Sequence, residues 1–463
     1  MTLDALLRES ALHHADRPAL LWVAERLSYR ELDEAVDELA RRIGAVEGRA
    51  VALIAPNTPA LVIGLFAIWR VGATAVPLNA RLREHELRQI LADAEPAALV
   101  SVASHQGYSF RDLAARLVPD LPSLFLDSSG RVVAESGHSV ETTQGARAAA
   151  GSAAVLYTSG TSGEPKGAPV PHRRELDGAR HLAELLELRP EDAVGFAIPL
   201  SHAFGFTCLH ACLHAGAAAV LVDSTASVGP LLEAVGSAGV TVLHGSPRLF
   251  SSLLDVAPEG LPGVRTGFVA GSASPPGLLE RLDATGMRVL NVYGLTELGA
   301  VCACRADDPA DVRYTTAGRP LPGQELRTVD GELHVRSPYV DDWFRTGDLG
   351  ELKDGCVRIT GRLSELVNVG GFNVSPAEVE TVLLGHADVD AAVVVGVGDA
   401  ATGERLQAFV VPKPGAELDR AELLRFARAR IAGYKLPYAI EIVRELPLLP
   451  SGKPDRRALR DAA

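Results

Sequence analysis

The chain has 463 residues, of which 47% are hydrophobic and 22% are charged, and its formal net charge is −13. This length predicts more than one domain, and the composition is typical of a soluble globular protein. The acidic balance argues against nucleic acid as a main partner. Five unevenly spaced cysteines do not indicate a disulfide framework.

The sequence shows no signal for export or for membrane insertion. Residues 1–10 lack the basic start and apolar run of a secretory signal. The apolar stretch before Arg70 is shorter than a membrane span requires. We therefore expect a cytoplasmic protein without a membrane span.

Strand-like and helix-like segments alternate along the first part of the chain. Residues 49–56 predict a strand, 59–72 a helix that ends at a glycine, and 73–78 another strand. The same alternation returns over 217–271. Strands separated by helices predict an α/β fold with parallel sheets covered on both faces.

The pattern changes near Arg313. Short strands separated by Gly and Asp turns over 313–362 predict antiparallel structure. Residues 362–463 carry 13 basic and 14 acidic side chains, so nearly all of the net negative charge lies before them. These changes predict a large N-terminal domain, 1–361, and a smaller α+β C-terminal domain, 362–463.

A glycine-rich loop follows a predicted strand and reads YTSGTSGEPKG (157–167). Its glycines allow close backbone approach, and its N–H groups and hydroxyls can surround an anion, with Lys166 adding a mobile charge. The spacing differs from the G-x-x-x-x-G-K-[ST] pattern, because only two residues separate Gly160 from Gly163. Taken alone, the loop fits either an anion site or a plain surface loop.

Four further motifs follow this loop. They are NVYGLTE (291–297), FRTGDLG (344–350), GRLSELVNVGGFNVSPAEVE (361–380) and LPSGKPDRRAL (449–459). In sequence and in order, the five motifs resemble those of the adenylate-forming superfamily, which includes acyl-CoA synthetases, luciferases and the adenylation domains of peptide synthetases. The resemblance covers most of the chain. It implies helix-covered sheets plus a small β-barrel in the large domain, and a mobile cap domain that carries a catalytic lysine.

The resemblance also implies a reaction. Members join a carboxylate to the α-phosphate of ATP, release pyrophosphate and can then form a thioester. A carboxylate is a poor nucleophile that repels the triphosphate, so the site must screen charge and align the reactants. The implied requirements are ATP, Mg²⁺ and a thiol acceptor, either coenzyme A or a phosphopantetheine arm.

The resemblance assigns the triphosphate to two motifs. The loop is expected to hold the β- and γ-phosphates, Thr296 the α-phosphate, and Glu297 a Mg²⁺ ion, which prefers oxygen ligands. The full predicted ATP- and AMP-binding set is Thr158, Ser159, Gly160, Thr161, Ser162, Gly163, Lys166, Gly271, Ser272, Asn291, Tyr293, Gly294, Asp348 and Arg362.

The nucleoside is assigned to the middle of the chain. By resemblance, Tyr293 stacks on adenine, Asn291 contacts the adenine amino group, and Asp348 binds the ribose hydroxyls with help from Arg362. Outside the motif context, an acidic side chain in a loop is usually solvated and a tyrosine is usually part of a core. The ordered set of motifs favours the nucleotide-binding roles.

Lys453 lies in a Gly-Pro loop near the last residue, where a lysine is ordinarily a solvated charge. The family places a lysine there that swings into the active site and bridges the carboxylate and the ribose. It supplies positive charge where the transition state is most negative. The predicted catalytic set is Lys453, Thr296, Glu297 and His202.

The predicted hinge departs from the family pattern. Ser364 occupies the position that is usually Lys or Asp, and Asn368 stands where many members carry a lysine for the second step. A serine can still accommodate a backbone rotation. By resemblance, Gly370 and Gly371 belong to the tunnel for the pantetheine arm, with Gly371 in its lining. Their presence supports the prediction that the enzyme forms a thioester.

The acid-binding residues are expected in three segments. By position they are His202, Phe204, Gly205, Phe206, Gly245, Ser246, Ala270, Gly271 and Ser272. Relatives that activate α-amino acids usually place an Asp near 202–204, and this chain has His-Ala-Phe there. The small and aromatic walls predict an apolar or aryl acid. For His202 the alternative is a packed histidine without a role.

The segment TCLHACLH (207–214) places two cysteines and two histidines at helical i, i+4 spacing. Such spacing can bind zinc. The cysteine pair and the histidine pair lie on different helix faces among apolar residues, and the family uses this segment as a core helix. We expect core.

Two classes of function remain open. The first is an acid ligase whose acceptor is coenzyme A or the phosphopantetheine arm of a carrier protein. Because the chain ends soon after Lys453, we expect a carrier protein to be a separate chain. A basic cluster, Arg425, Arg428, Arg430 and Lys435, can meet either acceptor or be a solvated helix face. The second class is a non-adenylating relative that binds nucleotide or acyl ligand. Such a relative would be expected to lack Glu297 or Lys453, and both are present.

Overall fold

A computed structural model of the chain describes residues 1–22, 25–82, 84–137, 151–159, 165–222, 228–275, 277–369, 372–399, 403–449 and 452–463. The chain divides into two compact units, and each is described by itself below. Unit 1 comprises Met1–Ala270, Leu282–Leu290 and Gly294–Val301, and unit 2 comprises Gly271–Arg281, Asn291–Tyr293 and Cys302–Ala463.

Unit 1 is rich in helices that cover its sheets. They are α1 (Leu3–His13), α2 (Tyr29–Ile43), α3 (Pro59–Arg70), α4 (Glu84–Ala94), α5 (Phe110–Leu117), α6 (His172–Leu185), α7 (Ala203–His214), α8 (Val228–Ala238) and α9 (Pro247–Val256). Helix α2 begins with a capping box between Ser28 and Glu31 and buries one apolar stripe. Helix α3 is apolar on every side and is almost entirely buried.

The first part of unit 1 contains one sheet built around parallel strands. Its strands are β3 (Ala50–Ala55), β4 (Thr74–Asn79), β5 (Ala98–Val102), β8 (Ser123–Leu126), β9 (Val132–Ser136), β10 (Ser152–Ser159) and β11 (Pro165–Pro171), with the short hairpin β6 (Ser104–His105) and β7 (Tyr108–Ser109) apart. The order is β11-β10-β4-β3-β5-β8-β9. The inner pairs are parallel and the two outer pairs antiparallel.

A second sheet of unit 1 repeats this design. Of the nine strands described in this sheet, six lie wholly in unit 1. They are β1 (Pro18–Trp22), β2 (Glu25–Ser28), β12 (Ala193–Phe196), β13 (Ala218–Leu221), β14 (Val242–His244) and β15 (Thr266–Val269), in the order β15-β14-β12-β13-β1-β2. These strands pair in parallel except for β1 with β2. The carboxyl ends of these strands therefore meet at one edge, where an α/β fold places its ligands.

Three elements have residues in both units. They are α10 (Leu278–Ala284), β16 (Arg288–Leu295) and β17 (Gly299–Ala303). The turn between β16 and β17, residues 294–299, lies in unit 1, whereas Asn291–Tyr293 of β16 belong to unit 2. The motif NVYGLTE is thus shared between the units.

Unit 2 begins with antiparallel structure, as the sequence predicts. Helix α11 (Ala310–Thr315) and strand β18 (Arg319–Pro320) precede β19 (Glu325–Val329), β20 (Glu332–Arg336), β21 (Phe344–Lys353) and β22 (Cys356–Arg362). The last four strands form an antiparallel sheet in chain order. This sheet lies within 313–362, the range for which the sequence predicts antiparallel structure.

The rest of unit 2 mixes helices and strands. It contains a 3₁₀ turn (Leu363–Glu365), β23 (Val367–Val369), β24 (Phe372–Val374), α12 (Pro376–Leu384), β25 (Val389–Asp399), β26 (Gly403–Pro412), α13 (Arg420–Arg428), a second 3₁₀ turn (Gly433–Lys435), β27 (Ala439–Ile442) and α14 (Arg456–Asp461). The sheet order is β24-β23-β26-β25, with β27 beside β26. Its apolar face packs on α12 and α13.

The α/β class and the early elements are confirmed. The strand at 49–56, the helix at 59–72 and the strand at 73–78 correspond to β3, α3 and β4. Over the residues that the structure describes, no helix combines the length and the apolar character needed to cross a bilayer.

Candidate active site

Strands β10 and β11 of unit 1, which carry the described ends of the predicted phosphate loop, pair antiparallel. Strands β10 and β11 pair directly up to Thr158 opposite Lys166 and Ser159 opposite Pro165. Lys166 is exposed. The predicted residues Gly160, Thr161, Ser162 and Gly163 lie outside the described residues.

The turn at 294–299 carries Thr296 and Glu297, both half-buried. It is closed by the Leu298 N–H donating to the Leu295 carbonyl at 3.2 Å. A Cβ atom at Gly294 would lie 2.2 Å from the carbonyl oxygen of Gly299, so only glycine fits there. The backbone of this turn is thus tightly constrained.

A second constraint on the turn comes from helix α6. One guanidinium nitrogen of Arg174, Nη1, donates to the carbonyl oxygens of Thr296 and of Glu297, each at 2.8 Å. Sequence analysis did not single out this arginine. The only signal was the charged run HRRE directly after a strand, which is an ordinary pattern for a helix start.

Asp348 is the centre of a polar cluster in unit 2. It follows Gly347, which has a φ of +71°, in β21 and is buried. The Tyr293 hydroxyl donates to its Oδ2 at 2.7 Å, and the Arg362 guanidinium donates through Nε to its Oδ1 at 2.7 Å. Burial, followed by the charge of Asp348, raises the pKa of Tyr293 well above its usual range, so its O–H remains a donor.

Asn291 is oriented by the backbone of unit 2. Its amide nitrogen donates to the carbonyl oxygens of Arg313 and Thr316, at 3.2 and 3.0 Å. Both donors of the amide are therefore engaged, and its oxygen accepts from Ser274 at 3.4 Å. An amide held this way presents an acceptor, which suits an adenine amino group.

Lys453 lies near the Asp348 cluster. The peptide carbonyl of Lys453 accepts from the N–H of Leu449, which closes its loop. The side chain keeps solvent exposure, yet surrounding protein atoms lower the pKa of its ammonium, and the charge of Arg362 lowers it further. Asp348 and Glu365 oppose this shift. Unit 2 thus groups Tyr293, Asp348, Arg362 and Lys453.

The acid-binding segment begins with His202 at the N-terminus of α7. Its Nε2 lies 3.3 Å from the amide nitrogen of Asn79, at the end of β4. A Cβ atom at Gly205 would lie 2.4 Å from the carbonyl oxygen of Pro199, so glycine allows the helix to approach the strand end. Phe206 points into the core, where its ring lies 4.6 Å from that of His210.

The other acid-binding segments follow β14 and β15. The N–H of Gly245 donates to Phe268, and the N–H of Ala270 donates to Gly245, which places these segments side by side. Ser246 caps α9 by accepting from the N–H of Leu249. Gly271, with φ +95°, and the exposed Ser272 begin unit 2.

Aromatic rings line this part of unit 1. His244 stacks on Phe268 at 5.8 Å and contacts the rings of Phe196 and Phe204 at 5.7 and 6.1 Å. Burial lowers the pKa of His244 to about 3, so the imidazole is neutral. Phe204 therefore adjoins a neutral ring that is itself packed among aromatic side chains.

The hinge and tunnel predictions are placed only in part. Ser364 lies in the 3₁₀ turn that follows β22, and Asn368 lies on β23 opposite Asn373. Gly370 and Gly371 lie outside the described residues. Arg456 lies 3.6 Å from Glu365 and 2.6 Å from Glu380, which ties this turn to the α14 region.

The segment 207–214 forms most of α7, and Cys208, His210 and Cys212 are buried. The core interpretation is confirmed for these three residues. In the described part of the chain, no group of three or more His, Cys, Asp or Glu side chains is arranged to hold a metal ion.

The predicted basic cluster is split by its contacts. Lys435 pairs with Glu378 at 2.6 Å, and the Arg430 guanidinium lies over the ring of Phe426 at 3.6 Å. Arg425 and Arg428 are exposed on α13. These two remain available as a small basic patch for an acceptor.

Sequence analysis also missed Asn57, whose side chain connects strand ends in unit 1. Its amide donates to the Ile198 carbonyl at 2.8 Å, and its oxygen accepts from the Leu200 N–H at 3.0 Å. This fixes the segment that leads to His202. Asn57 directly follows the strand predicted over 49–56, a position that carries no signal of its own.

Comparison with known proteins identifies the family. A model of AMP-binding enzymes matches residues 7–350, and a model of the AMP-binding enzyme C-terminal domain matches 378–453. The chain is 33% identical to 3-[(3aS,4S,7aS)-7a-methyl-1,5-dioxo-octahydro-1H-inden-4-yl]propanoyl:CoA ligase of Rhodococcus jostii (strain RHA1), over 99% of this chain and 98% of that enzyme. It is 32% identical to feruloyl-CoA synthase of Amycolatopsis sp, over 92% of each.

A solved structure with the same fold is the anthranilate CoA ligase AuaEII in complex with anthranoyl-AMP. Its TM-score is 0.87 and its identity 25%, over 100% of this chain and 97% of that one. The chain therefore belongs to the AMP-binding enzymes, and within the adenylate-forming superfamily it is an AMP-forming, acyl-CoA synthetase-like acid–thiol ligase.

Proposed function

We propose that the enzyme uses ATP and Mg²⁺ to convert an apolar or aryl carboxylic acid to its acyl-adenylate, and then transfers the acyl group to coenzyme A. The observation that carries this proposal is the Asp348 cluster, in which a buried carboxylate binds Tyr293 and Arg362 near Lys453. A carboxylate that accepts from a tyrosine and an arginine, near the charge of a lysine, suits the hydroxyls of a ribose beside a reacting phosphate.

The nucleoside part of ATP would be held by unit 2. Asp348 accepts from the ribose hydroxyls, and Arg362 keeps its carboxylate oriented. Asn291 presents its amide oxygen to the adenine amino group, since backbone carbonyls occupy its donors. The ring of Tyr293 stacks on the base. These contacts align the α-phosphate for attack.

The donor set fits a magnesium ion. Arg174 engages the backbone carbonyl of Glu297, which leaves the carboxylate as the hard oxygen donor that Mg²⁺ prefers. When bound, the ion neutralises charge on the phosphates and on the departing pyrophosphate. Thr296 is the neighbouring donor for the α-phosphate.

Lys453 would stabilise the transition state of adenylation. The acid's carboxylate oxygen forms a bond to the α-phosphorus while the bond to the pyrophosphate oxygen breaks. An ammonium between the carboxylate and the ribose offsets the negative charge at that point. In the second step the C-terminal domain, proposed as residues 362–463, would turn about Ser364 and admit the thiol beside Gly371.

The proposed acid class rests on the aromatic environment in unit 1. Phe204 adjoins the neutral, buried ring of His244, which is itself surrounded by Phe196 and Phe268. Uncharged walls of this kind favour apolar or aryl groups over an ammonium. The relatives' names, which include feruloyl and anthranilate, also indicate ring-bearing acids.

Coenzyme A is the proposed acceptor because the curated relatives are named as coenzyme A ligases. Its phosphates could meet the exposed Arg425 and Arg428. ATP and coenzyme A are both supplied in the cytoplasm, which is the location we propose.

The test is pyrophosphate release from ATP and Mg²⁺ over a panel of aliphatic, aryl and amino acids, with and without coenzyme A. We expect release that depends on an aryl or apolar acid and turns over continuously only with coenzyme A. Release that stops after about one equivalent with coenzyme A present would instead indicate a carrier protein. No release with any acid, in protein that binds ATP, would contradict adenylation.

A further inference from the structure

Helix α6 carries an ion pair that the proposed mechanism does not use. Arg174 and Glu175 are adjacent in its first turn, and the side chain of each is 1% exposed. The Nη2 of Arg174 donates to Oε1 of Glu175 at 2.9 Å. An ion pair this deeply buried often costs stability relative to apolar residues of the same size, so it calls for another explanation.

The explanation lies in what the arginine binds. Its Nη1 donates to the carbonyl oxygens of two successive residues, Thr296 and Glu297, at 2.8 Å each. A planar guanidinium can serve both carbonyls and a carboxylate at once, which a single ammonium cannot do in the same geometry. The two peptide groups whose carbonyls belong to Thr296 and Glu297 are therefore fixed from inside unit 1.

The turn has little freedom to adjust on its own. Gly299 has a φ of +74°, and a Cβ atom there would lie 3.5 Å from Nε of Arg174. That Nε has no hydrogen-bond partner among the described residues, so the guanidinium is placed by its other nitrogens. The close approach of Arg174 to the turn thus defines where the turn lies.

Glu175 holds the arginine in turn. Its Oε2 accepts from the Thr207 hydroxyl at 2.9 Å and lies 3.6 Å from Nδ1 of His210. Burial would raise the pKa of Glu175, but His210 and Arg174 outweigh it and the net direction is downward, so the carboxylate stays ionised. Thr207 and His210 belong to α7, the helix that begins at His202.

We propose that the buried Arg174–Glu175 pair positions the Thr296–Glu297 segment for ATP and Mg²⁺. Arg174 fixes the two carbonyls, Glu175 fixes Arg174, and α7 anchors Glu175. This role rests on the proposed function of Thr296 and Glu297, because neither side chain of the pair is assigned to a substrate. Arg174 and Glu175 are positioning residues.

The decisive variant replaces both charges together. Arg174→Met with Glu175→Leu keeps the volume roughly constant, and such replacements usually fold. We expect the Mg²⁺ concentration for half-maximal pyrophosphate release to rise, or the rate to fall, by about 10–100-fold, as for other residues that orient a metal ligand. The single variant Arg174→Lys should show a smaller loss than the double variant. Lysine retains the positive charge but lacks the planar guanidinium that donates to two carbonyls and a carboxylate at once.

Arg265 provides a matched control in the same unit. It donates to the carbonyls of Leu186 and Glu187 at 3.0 and 3.1 Å and to Asp192 at 2.7 Å. It therefore also ties two successive carbonyls to a carboxylate, in a segment without a predicted site residue. Arg265→Met should leave the Mg²⁺ dependence and the rate within about twofold of the original.

A second readout does not depend on turnover. Hydrogen–deuterium exchange of peptides covering 294–301 should accelerate in the double variant, while peptides covering 389–399 should not change. Faster exchange there, together with altered Mg²⁺ dependence, supports the proposal. Unchanged exchange overturns it, and so does faster exchange with rate and Mg²⁺ dependence unaltered in an active enzyme.

The two proposals can fail separately. If the original protein releases no pyrophosphate with any acid, the proposed function fails. The exchange comparison then still decides whether the pair fixes the turn: acceleration in 294–301 supports the positioning role, and its absence removes it.

Discussion

The two units hold their predicted site residues in different ways. In unit 2, the predicted site residues hold one another: Asp348 binds Tyr293 and Arg362 directly. In unit 1, Thr296 and Glu297 are held through their backbone by Arg174, a residue that no motif contains. The difference is between side chains that orient each other and side chains oriented by a buried support.

This difference has a consequence for substitutions. In a cluster of functional groups that hydrogen-bond to one another, changing one member weakens substrate binding directly, because each side chain both contacts the substrate and orients its neighbours. A turn held from behind can lose its geometry through a change that touches no substrate. Five predictions separate the two cases, beginning with the largest expected effect.

Lys453→Ala should lower the rate of adenylation by about 10²–10³-fold, the usual loss when one electrostatic stabiliser is removed. Because the charged form of Lys453 is disfavoured in the folded protein, its removal should not reduce the melting temperature. Acid-dependent pyrophosphate release measures the rate. Lys413→Ala is the control, since that lysine is exposed and donates to the Ala387 carbonyl, away from the predicted site residues. Full activity in Lys453→Ala would remove its catalytic role.

Arg70→Met, in unit 1, should show the opposite behaviour: a loss of stability without a loss of activity. This arginine is 5% exposed and pairs with Asp4, Asp33 and Asp37 at 2.8, 2.5 and 2.8 Å. Its loss leaves carboxylates without a partner and should lower the free energy of unfolding by about 3 kcal/mol. Urea denaturation measures this loss. Activity of the folded fraction should be unchanged, in contrast to Arg174, and a loss of rate without a loss of stability would contradict the comparison.

Asp348→Asn should raise KM for ATP by about 10–100-fold, since a charged acceptor of hydrogen bonds contributes about 1.5–3 kcal/mol. The amide keeps the size of the side chain but cannot accept at both atoms from Tyr293 and Arg362. Tyr293→Phe is the matched comparison, because it retains the ring and removes only the O–H. Steady-state kinetics should rank Asp348→Asn as the more damaging change, and the reverse order would place the nucleoside contacts elsewhere.

The alkaline limb of the pH–rate profile should lie below the ordinary lysine pKa of 10.5. Desolvation by surrounding protein atoms, followed by the charge of Arg362, lowers the pKa of Lys453, and adenylation needs its ammonium form. The rate should therefore fall as the pH rises through that lowered pKa. Glu365 opposes the shift, so Glu365→Gln should move the limb to lower pH. A limb that does not respond to this substitution would assign the titration to another group.

The smallest effect concerns acid stability. Burial, with a contribution from His210, lowers the pKa of His172 to about 4 from 6.5. Between these two pH values the unfolded chain binds more protons at this position than the folded protein does. The contribution of neutral His172 to the free energy of unfolding is therefore complete above pH 6.5 and is lost as the pH falls toward 4. His172→Gln should reduce the drop in melting temperature between pH 7 and pH 5. His85→Gln, at an exposed position, is the control and should change nothing.

Local signals were sufficient where one segment supplied them. The helix over Pro59–Arg70, the neighbouring strands and the antiparallel β19–β22 sheet follow from apolar periodicity and turn residues. Motif residues such as Asp348 and Lys453 were found from short patterns. Arg174, Asn79 and Asn57 were not, because an arginine or asparagine near a strand end is common and gains meaning only from its partners.

The sequence by itself determined the α/β class, the membership of the adenylate-forming superfamily and the identity of the motif residues, since these depend on order and composition along the chain. Only the tertiary structure decided what supports them. It brought Arg174 to carbonyls more than a hundred positions away, and Asn79 to His202. Hydrogen bonds between backbone carbonyls and distant side chains leave no periodic trace in a sequence, because any residue can supply the carbonyl.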